Sequence, residues 1–429
     1  VSITSSNTNA PAGTLSKPED VITISITADN NIKTPTITIS GNAATIATGA
    51  DGESVYTATY TMGTGNSPDD AIDFTVDFID LAGNEGTQVT ALVGDADGGV
   101  SFDKQGPSFT TVKIEALDND VGPSGDDDHT KARSGDEITI TLHSIEALKP
   151  GLKPVVTIAG NTASVERTSG NTVFEATYTM SSVSDAAFDG ESISINISSY
   201  EDPAGNEGDE ETDTNDGSVV IFDMAKPVLG TVTIASSNTF SHWAAEDDII
   251  TVTIVSDEDL QTPPSVSILG ANPNFSVGIN EKNWTVEKAV EAGHTQGVVD
   301  FTISYEDVVG NSGISITSVT EGKNVTVDHD VPLIATVTIA SNNTNGPELA
   351  VPLNTITLTV ITNENIQEPT ITIATNPADV AGGVTAKNWT ATYQMTANDA
   401  DDDELDFSIS FSDSAGNAGV THTAITEGS

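Results

Sequence analysis

The sequence predicts an all-β protein built as four tandem β-sandwich domains in an elongated array, and three observations carry that reading. A turn recurs four times: Asp80-Leu-Ala-Gly-Asn84, Asp202-Pro-Ala-Gly-Asn206, Asp307-Val-Val-Gly-Asn311 and Asp413-Ser-Ala-Gly-Asn417. Its aspartates stand 122, 105 and 106 residues apart, a period longer than solenoid repeats and sufficient for each unit to bury a core of its own. Every copy follows an alternating run that ends in an aromatic, Phe78, Tyr200, Tyr305 or Phe411. The composition agrees: aromatics make up 5%, and Thr, Val, Ile, Ser, Gly and Asp are abundant, which suits strands and turns better than helices. A length of 429 residues alone suggests about three domains; the repeat raises the number to four, at 1–107, 108–227, 228–332 and 333–429.

Within repeat one, Val1-Ser-Ile-Thr opens a first strand. Val21-Ile-Thr-Ile-Ser-Ile-Thr27 alternates Ile22, Ile24 and Ile26 with Thr and Ser, the mark of a strand with one buried face. Thr36-Ile-Thr-Ile-Ser40 does the same after Pro35. In Val55 to Met62, Tyr56, Ala58, Tyr60 and Met62 share a face; in Ile72 to Phe78, Ile72, Phe74, Val76 and Phe78 do. Val100-Ser-Phe-Asp103 closes the unit. About seven short strands with frequent turn signals form the pattern of an immunoglobulin-like sandwich.

Repeat two returns the same strands after a long acidic loop, 117–136. Its run Ile193 to Tyr200 slips by one residue, so burying both Ile197 and Tyr200 requires a bulge near Ser198–Ser199. Repeat three carries Trp284 in place of Tyr56, and Lys288 where the others have Tyr60, Tyr178 and Tyr393, which predicts weaker or rearranged packing there. Repeat four has Ile356 to Val360, Trp389 to Met395 and Phe407 to Phe411. The first three repeats share a junction, Phe102-Asp103-x-x-x-Pro107, Phe222-Asp223-x-x-x-Pro227 and Val327-Asp328-x-x-x-Pro332, a stiff linker. Repeat four stops at Thr426-Glu-Gly-Ser429 without the closing strand. The expectation is that the native chain continues, with strand donation by a neighbour as the rarer alternative.

The charge excludes whole classes of function. With 64 acidic against 14 basic side chains the net charge is −50, which leaves no Lys/Arg cluster for nucleic acid and disfavours anionic membrane surfaces. No apolar run approaches the ~18 residues of a membrane helix. There are no cysteines, so stability must come from the cores and from metal ions. Val1 opens directly into strand-like sequence with no export signal, as in a mature or excised segment. Such self-repulsion calls for counterions, as in salty or calcium-containing extracellular water.

Calcium is the expected cofactor at the recurring turns, because a hard cation takes six to eight oxygens from carboxylates, Asn side chains and turn carbonyls. The expected ligand sets lie within each repeat: Asp80 and Asn84 with Asp103, Asp202 and Asn206 with Asp223, Asp307 and Asn311 with Asp328, and Asp413 with Asn417. The same turn has an explanation without metal, since Gly adopts positive φ and Asp accepts main-chain N–H groups. Asp95 and Asp97, Asp118, Asp120 and Asp126 to Asp128, Asp213, Asn215 and Asp216, and Asp399 to Asp403 are competing acidic loops; none has EF-hand spacing. Asn196, Asn274, Asn283, Asn324, Asn342 and Asn388 stand in N-glycosylation sequons, a short pattern that arises often by chance in a Thr-rich chain. The six histidines fall at unrelated places, and no nucleophile elbow, zinc motif or phosphate loop is present, so a non-enzymatic role is expected.

Taken together, the Tyr/Trp-Thr-Ala-Thr-Tyr-x-Met strand, the Asp-x-Ala-Gly-Asn turn and the Phe-Asp-x-x-x-Pro junction make the chain resemble, over its whole length, the bacterial Ig-like repeats of large extracellular adhesins and surface-layer proteins. The resemblance implies an extracellular, cell-surface location and an array stiffened by calcium; repeat three departs from it at Lys288, Val309 and Ser312. The leading expectation is an adhesin-type stalk or spacer, spanning on the order of 150 Å at ~40 Å per unit. The alternative is a self-assembling surface-layer or filament subunit. Partners would be neighbouring Ig-like domains or copies of the chain itself. A carbohydrate-binding module would need an exposed aromatic platform, for which Trp243 is the candidate outside the repeat core.

Overall fold

The structure, a computed structural model, describes residues 1–9, 13–66, 70–92, 99–117, 129–261, 263–272, 274–280, 282–383, 385–399 and 404–426. These residues form strands and turns, with one short 3-10 turn at Ala186–Phe188. Among them no helix is long and apolar enough to cross a membrane. The chain divides into two units, Val1–Ala225 and Lys226–Ser429.

In the first unit, one sheet runs Ser2–Ser5, Val21–Ile32, Glu53–Thr61, Thr45–Thr48, and a second pairs Asn42–Ala43, Thr36–Ile39 and Phe74–Asp77. The same pair of sheets follows as Phe109–Leu117, Glu137–Ser144, Val173–Thr179, Ser164–Ser169 against Asn161–Thr162, Val155–Ile158, Ile195–Ser198. The second unit repeats it twice. Its four-stranded sheets are Leu229–Ser236, Ile249–Ser256, Asn283–Ala289, Asn274–Asn280 and Ile334–Ser341, Thr355–Thr362, Asn388–Gln394, Asp379–Gly382. Facing them are Ser265–Ile268 with Phe301–Ser304, and Thr370–Ile373 with Phe407–Ser410. First strand beside second, second beside a later one, and that one beside a short edge is the arrangement of one sheet of an immunoglobulin domain. The chain is a series of immunoglobulin-like sandwiches.

The period-two pattern decides which side chains meet. Ile24 lies opposite Ala58, Ile140 opposite Ala176, Val252 opposite Val286 and Leu358 opposite Ala391, all buried. Each sandwich holds its own hydrophobic cluster, which includes Tyr56, Phe174, Trp284 and Leu358 in turn. Each fully buried Ile or Val contributes about 1.5–3 kcal/mol relative to exposure. Trp284 stands opposite Ile254 as Tyr56 stands opposite Ile26. Trp389, opposite Val360, is only half-buried, and its Nε1 donates to the Ala386 carbonyl at 3.0 Å. Lys288 occupies the tyrosine position and rearranges it: Tyr178 and Tyr393 donate their hydroxyls to Asp185 and Asp399, whereas the Lys288 Nζ lies 2.6 Å from Glu291 Oε1.

The slip in repeat two is absorbed as the sequence requires. Ile197 and Tyr200 are both buried, and Ser199 between them takes φ +57°. The turns that follow Ile39, Ile158, Ile268 and Ile373 are set by the folded sheet. Ser40-Gly41, Ala159-Gly160, Leu269-Gly270 and Ala374-Thr375 all have positive φ at both residues, the requirement of a type I′ turn. Only the fourth places a β-branched residue, Thr375 at φ +65°, where the others have glycine. Thr375→Gly should therefore stabilise the fourth sandwich by about 1 kcal/mol, the left-handed penalty less the added unfolded-state entropy of glycine. Calorimetric melting of the variant tests this; an unchanged or lowered transition would mean that the turn is not strained.

Candidate metal centre

Each recurring turn is locked by its own aspartate. The Asp202 Oδ1 accepts the main-chain N–H groups of Gly205 at 2.6 Å and Asn206 at 3.0 Å, and its Oδ2 accepts the Asn206 Nδ2 at 2.7 Å. Asp413 is held by Asn417 N and Nδ2 at 2.9 and 2.8 Å, and Asp307 by Asn311 at 2.9 Å for both. The first glycine of each turn adopts φ between +85° and +94°, a conformation that costs other residues strain. The second glycine has a different reason. A Cβ on Gly86, Gly208, Gly313 or Gly419 would lie 2.0–2.2 Å from the ring of Phe78, Tyr200, Tyr305 or Phe411, so the aromatic that ends each strand packs directly over its glycine.

The turn of one sandwich docks on the end of the preceding one. In the first unit, Asn206 Nδ2 also donates to the Asp103 carbonyl at 3.2 Å, Asn7 Nδ2 to the Ala204 carbonyl at 2.9 Å and Lys17 Nζ to the Gly205 carbonyl at 2.6 Å. The second unit repeats the device: Asn417 Nδ2 reaches the Asp328 carbonyl at 3.0 Å, and Asn238 Nδ2 the Ala415 carbonyl at 2.7 Å.

This docking brings carboxylates together in a set that differs from the expected one. Asp103 meets Asp202, the turn aspartate of the next repeat, and Glu146 joins them; Asp328 meets Asp413 and Glu364. In each trio one carboxylate oxygen per residue lies within 4.8 Å of the others. Asp202 and Asp413 are buried and the other four acids half-buried. Asp80, expected beside Asp103, is instead a self-contained turn whose carboxyl is held below its ordinary value, first by the Asn84 side chain and then by the Asn84 amide. Asn84, Asn206, Asn311 and Asn417, expected as ligands, donate their amides to the turn aspartates and so clamp the acid. Asp223 accepts Ala225 N at 3.0 Å at the end of the first unit, and Asp307 is buried in the second.

Glu146 and Glu364 do carry a signal in the sequence. Repeats two, three and four each have Glu-x-Leu/Ile after the second strand, at Glu146, Glu258 and Glu364, two residues before the buried Leu148, Leu260 and Ile366. Repeat one has Asn30 there.

Three hard oxygen donors, with no thiolate among them, suit a calcium- or magnesium-type cation, whose shell water would complete. The electrostatics agree. Burial pushes the Asp328 carboxyl above its ordinary value, and Asp413 and Asp330 push it further; Glu364 is raised by burial and then by Asp328, Asp413 and Asp330. Like charges crowded out of water resist ionisation, and a bound cation reverses that.

Other expected sites are structural or lie elsewhere. Asn215 accepts Val112 N at 2.8 Å and donates to the Phe109 carbonyl, and Asp216 accepts the Ser218 hydroxyl at 2.6 Å, so this loop braces a strand. Asp399 accepts Thr396 N and the Tyr393 hydroxyl. Asp95, Asp97, Asp118, Asp120, Asp126 to Asp128 and Asp401 to Asp403 lie outside the described residues, as does the side chain of Asn274. Of the remaining sequon residues Asn324 and Asn342 are exposed, while Asn196, Asn283 and Asn388 are half-buried. Trp243 is no open platform: it pairs with Thr326 in a strand and is half-buried.

No protein-family model matches the sequence, and no curated protein matches it. Among solved structures, the chain aligns with an ICAM-5 D1–D4 ectodomain fragment at 10% identity and a TM-score of 0.29, covering 99% of both chains. It aligns with the mouse nectin-like molecule 4 ectodomain (Ig1–Ig3) at 10% identity and 0.25, covering 71% of this chain and 96% of that one. A third alignment, with the Bacteroides ovatus mixed-linkage glucan utilization locus protein SGBP-B in complex with a heptasaccharide, has 12% identity and 0.16, covering 97% and 94%. Scores this low transfer no function.

Because Asp328 and Glu364 are pushed up, the metal-free folded state binds more protons than the unfolded chain between the ordinary and the raised values, so stability there falls as pH rises. Acidifying the chelated protein from neutral pH toward the ordinary carboxylate range should raise the melting transition of the second unit, and Asp328→Asn should flatten part of that rise. Groups held low, such as Asp80 and Asp399, act in the opposite sense only below about pH 4. A wild-type and a variant response that superimpose would show that the trio carries no coupled strain.

Proposed function

We propose that the chain is a non-enzymatic structural segment of an extracellular surface protein, an adhesin-type spacer whose sandwiches, bounded as 1–107, 108–227, 228–332 and 333–429, are stiffened by calcium. The observation that carries this reading is the pair of acidic trios. Each gathers one acid from the end of a sandwich and two from the next, at the place where the two dock. Removing water from three like charges costs several kcal/mol unless a cation or proton offsets it. A divalent ion there would tie Asp103 to Glu146 and Asp202, and Asp328 to Glu364 and Asp413, and would thereby restrict the hinge between neighbours.

The acidity of the chain supports an extracellular setting on the same grounds. A net charge of −50 is tolerable where calcium or salt is plentiful, and calcium sites of extracellular modules work at about 0.1–1 mM. Ion pairs such as Lys149–Glu201 and Lys153–Glu166 do little to offset that charge, since surface pairs of this kind contribute about 0–1 kcal/mol each. Cation binding is the larger reserve.

Tryptic cleavage after Lys104, one residue past Asp103 in the junction, reports the hinge directly. Millimolar calcium should slow this cut about tenfold and stabilise the first unit by about 1 kcal/mol per site, given a dissociation constant near 0.1 mM. Both effects should vanish with chelator and in Asp103→Asn and Glu146→Gln. If calcium changes neither cleavage nor melting in the wild-type chain, the stiffening role is wrong and the segment is a spacer held by its cores alone.

A further inference from the structure

The junctions inside the two units share one plan and differ in charge. At the first, three lysines stand around the acids. Lys17 Nζ crosses from the first sandwich to the Gly205 carbonyl at 2.6 Å, on the turn whose amide holds Asp202. Lys149 reaches back from the second sandwich, donating to Asn9 Oδ1 at 3.0 Å and to Glu201 Oε1, beside Asp202, at 2.6 Å. Lys104 follows Asp103 directly and donates to the Asn66 carbonyl at 3.2 Å. All three side chains belong to half-buried residues, where charge is screened less than at an open surface.

Main-chain hydrogen bonds identify the counterparts in the second unit. The amides of Lys17 and Ala245 donate to Asp20 and Asp248 at 2.7 Å. Those of Lys149 and Gln367 donate to the carbonyls of Glu201 and Ser412 at 2.9 and 2.8 Å. Those of Gln105 and Asp330 donate to the junction aspartates Asp103 and Asp328 at 3.2 and 3.0 Å. Lys17 is therefore replaced by Ala245, Lys149 by Gln367 and Lys104 by His329, while Gln105 is replaced by a further acid, Asp330. Gln296 Nε2 gathers that acid in, donating to Asp328 Oδ1 at 3.0 Å and to Asp330 Oδ2 at 2.9 Å. Asp328 and Glu364 are raised first by burial and then by neighbouring carboxylates, Asp330 among them. The acidic trio is common to both junctions; its counter-charge is not.

We propose that calcium loads the two junctions in order, the second unit's first, because Lys17, Lys104 and Lys149 take over part of the cation's work in the first unit. This order presupposes that calcium occupies the trios, as proposed above, and adds which fills at lower concentration and which residues decide it. Calcium affinity is tuned by the charge gathered around the ion. A single ammonium about 8 Å from a divalent ion weakens its binding about fivefold at low salt, even in a water-like dielectric. An ion arriving at the first junction meets three such groups. At the second it meets four carboxylates and, in place of the lysines, alanine, glutamine and histidine. The first junction is pinned in part by lysine before any ion binds, and the second depends on the ion.

Because the chain has no cysteine, spin labels can be placed in pairs on the whole 429-residue protein. Val55→Cys with Val155→Cys spans the first junction, and Val298→Cys with Ile361→Cys the second; all four positions are exposed. Calcium chloride is titrated at low salt into the chelated protein while each interlabel distance distribution is followed. The midpoint of narrowing should lie at least about tenfold lower for the second pair. Lys17→Gln with Lys149→Gln should lower the first pair's midpoint at least about fivefold, and Ala245→Lys should raise the second pair's by a similar factor. Melting of each variant in chelator separates an altered site from a damaged fold, and Ala245→Lys tests the lysine effect without removing an existing contact. Equal midpoints or the reverse order would overturn the inference and leave calcium stiffening intact. So would lysine variants that leave the first midpoint in place. If calcium narrows neither pair, calcium stiffening fails and the order fails with it.

Discussion

The constraint on which much of this molecule turns is a carboxylate with almost no contact with water. Asp202, Asp307 and Asp413 are at most 1% exposed. An ionised carboxylate in that position is costly unless hydrogen bonds and opposite charge surround it. The Asp-x-x-Gly-Asn sequence is the local answer, because it folds the chain back so that a main-chain amide and the asparagine side chain converge on the acid. The glycine makes the fold-back possible through its positive φ, and the second glycine leaves space for the ring that covers the turn. Hydrogen bonds satisfy the geometry of the acid but leave its charge, and beside Asp202 and Asp413 two further carboxylates add to that charge rather than cancelling it.

This local solution links the sandwiches of a unit. The strand that closes one core ends on the aspartate that faces the next turn, so completing a core and presenting a junction are one event in the chain. The asparagine clamp extends the link, because its amide is shared between its own turn aspartate and the carbonyl of the junction aspartate before it. The hydrogen bonds that Asn7, Lys17 and Asn238 make to main-chain carbonyls of the docked turn add polar contacts to the same link.

The cores themselves follow from an economical pattern of Ile, Val and Ala on one face and Thr and Ser on the other. Variation between repeats falls where the scheme tolerates it. The tyrosine that reaches an aspartate in the second and fourth sandwiches becomes Lys288 with Glu291 in the third, a change of chemistry in the same place in the sheet. The extra residue of the second repeat is accommodated at Ser199 without disturbing the burial of Ile197 or Tyr200.

Strand positions, inward faces, the repeated turn and the need for a distortion at Ser198–Ser199 are all legible from residue order, because side-chain alternation and turn conformation are local properties of the backbone. The type I′ hairpins are less legible: Ala159, Leu269 and Ala374 are not residues that announce a left-handed turn, and strand pairing imposes that conformation on them. Which acids meet is a tertiary decision. Asp103 is nearer in sequence to Asp80 than to Asp202, and only the docking of consecutive sandwiches shows that it faces the latter, with Glu146 as the third member. The second role of the asparagines, the Nδ2 hydrogen bond from Asn206 and Asn417 to the carbonyl of the preceding junction aspartate, is likewise set by packing. Sequence alone determines an alternating strand because each residue's face depends on its immediate neighbours; a site assembled from three separate segments depends on how finished domains pack, and that information exists only in the folded chain.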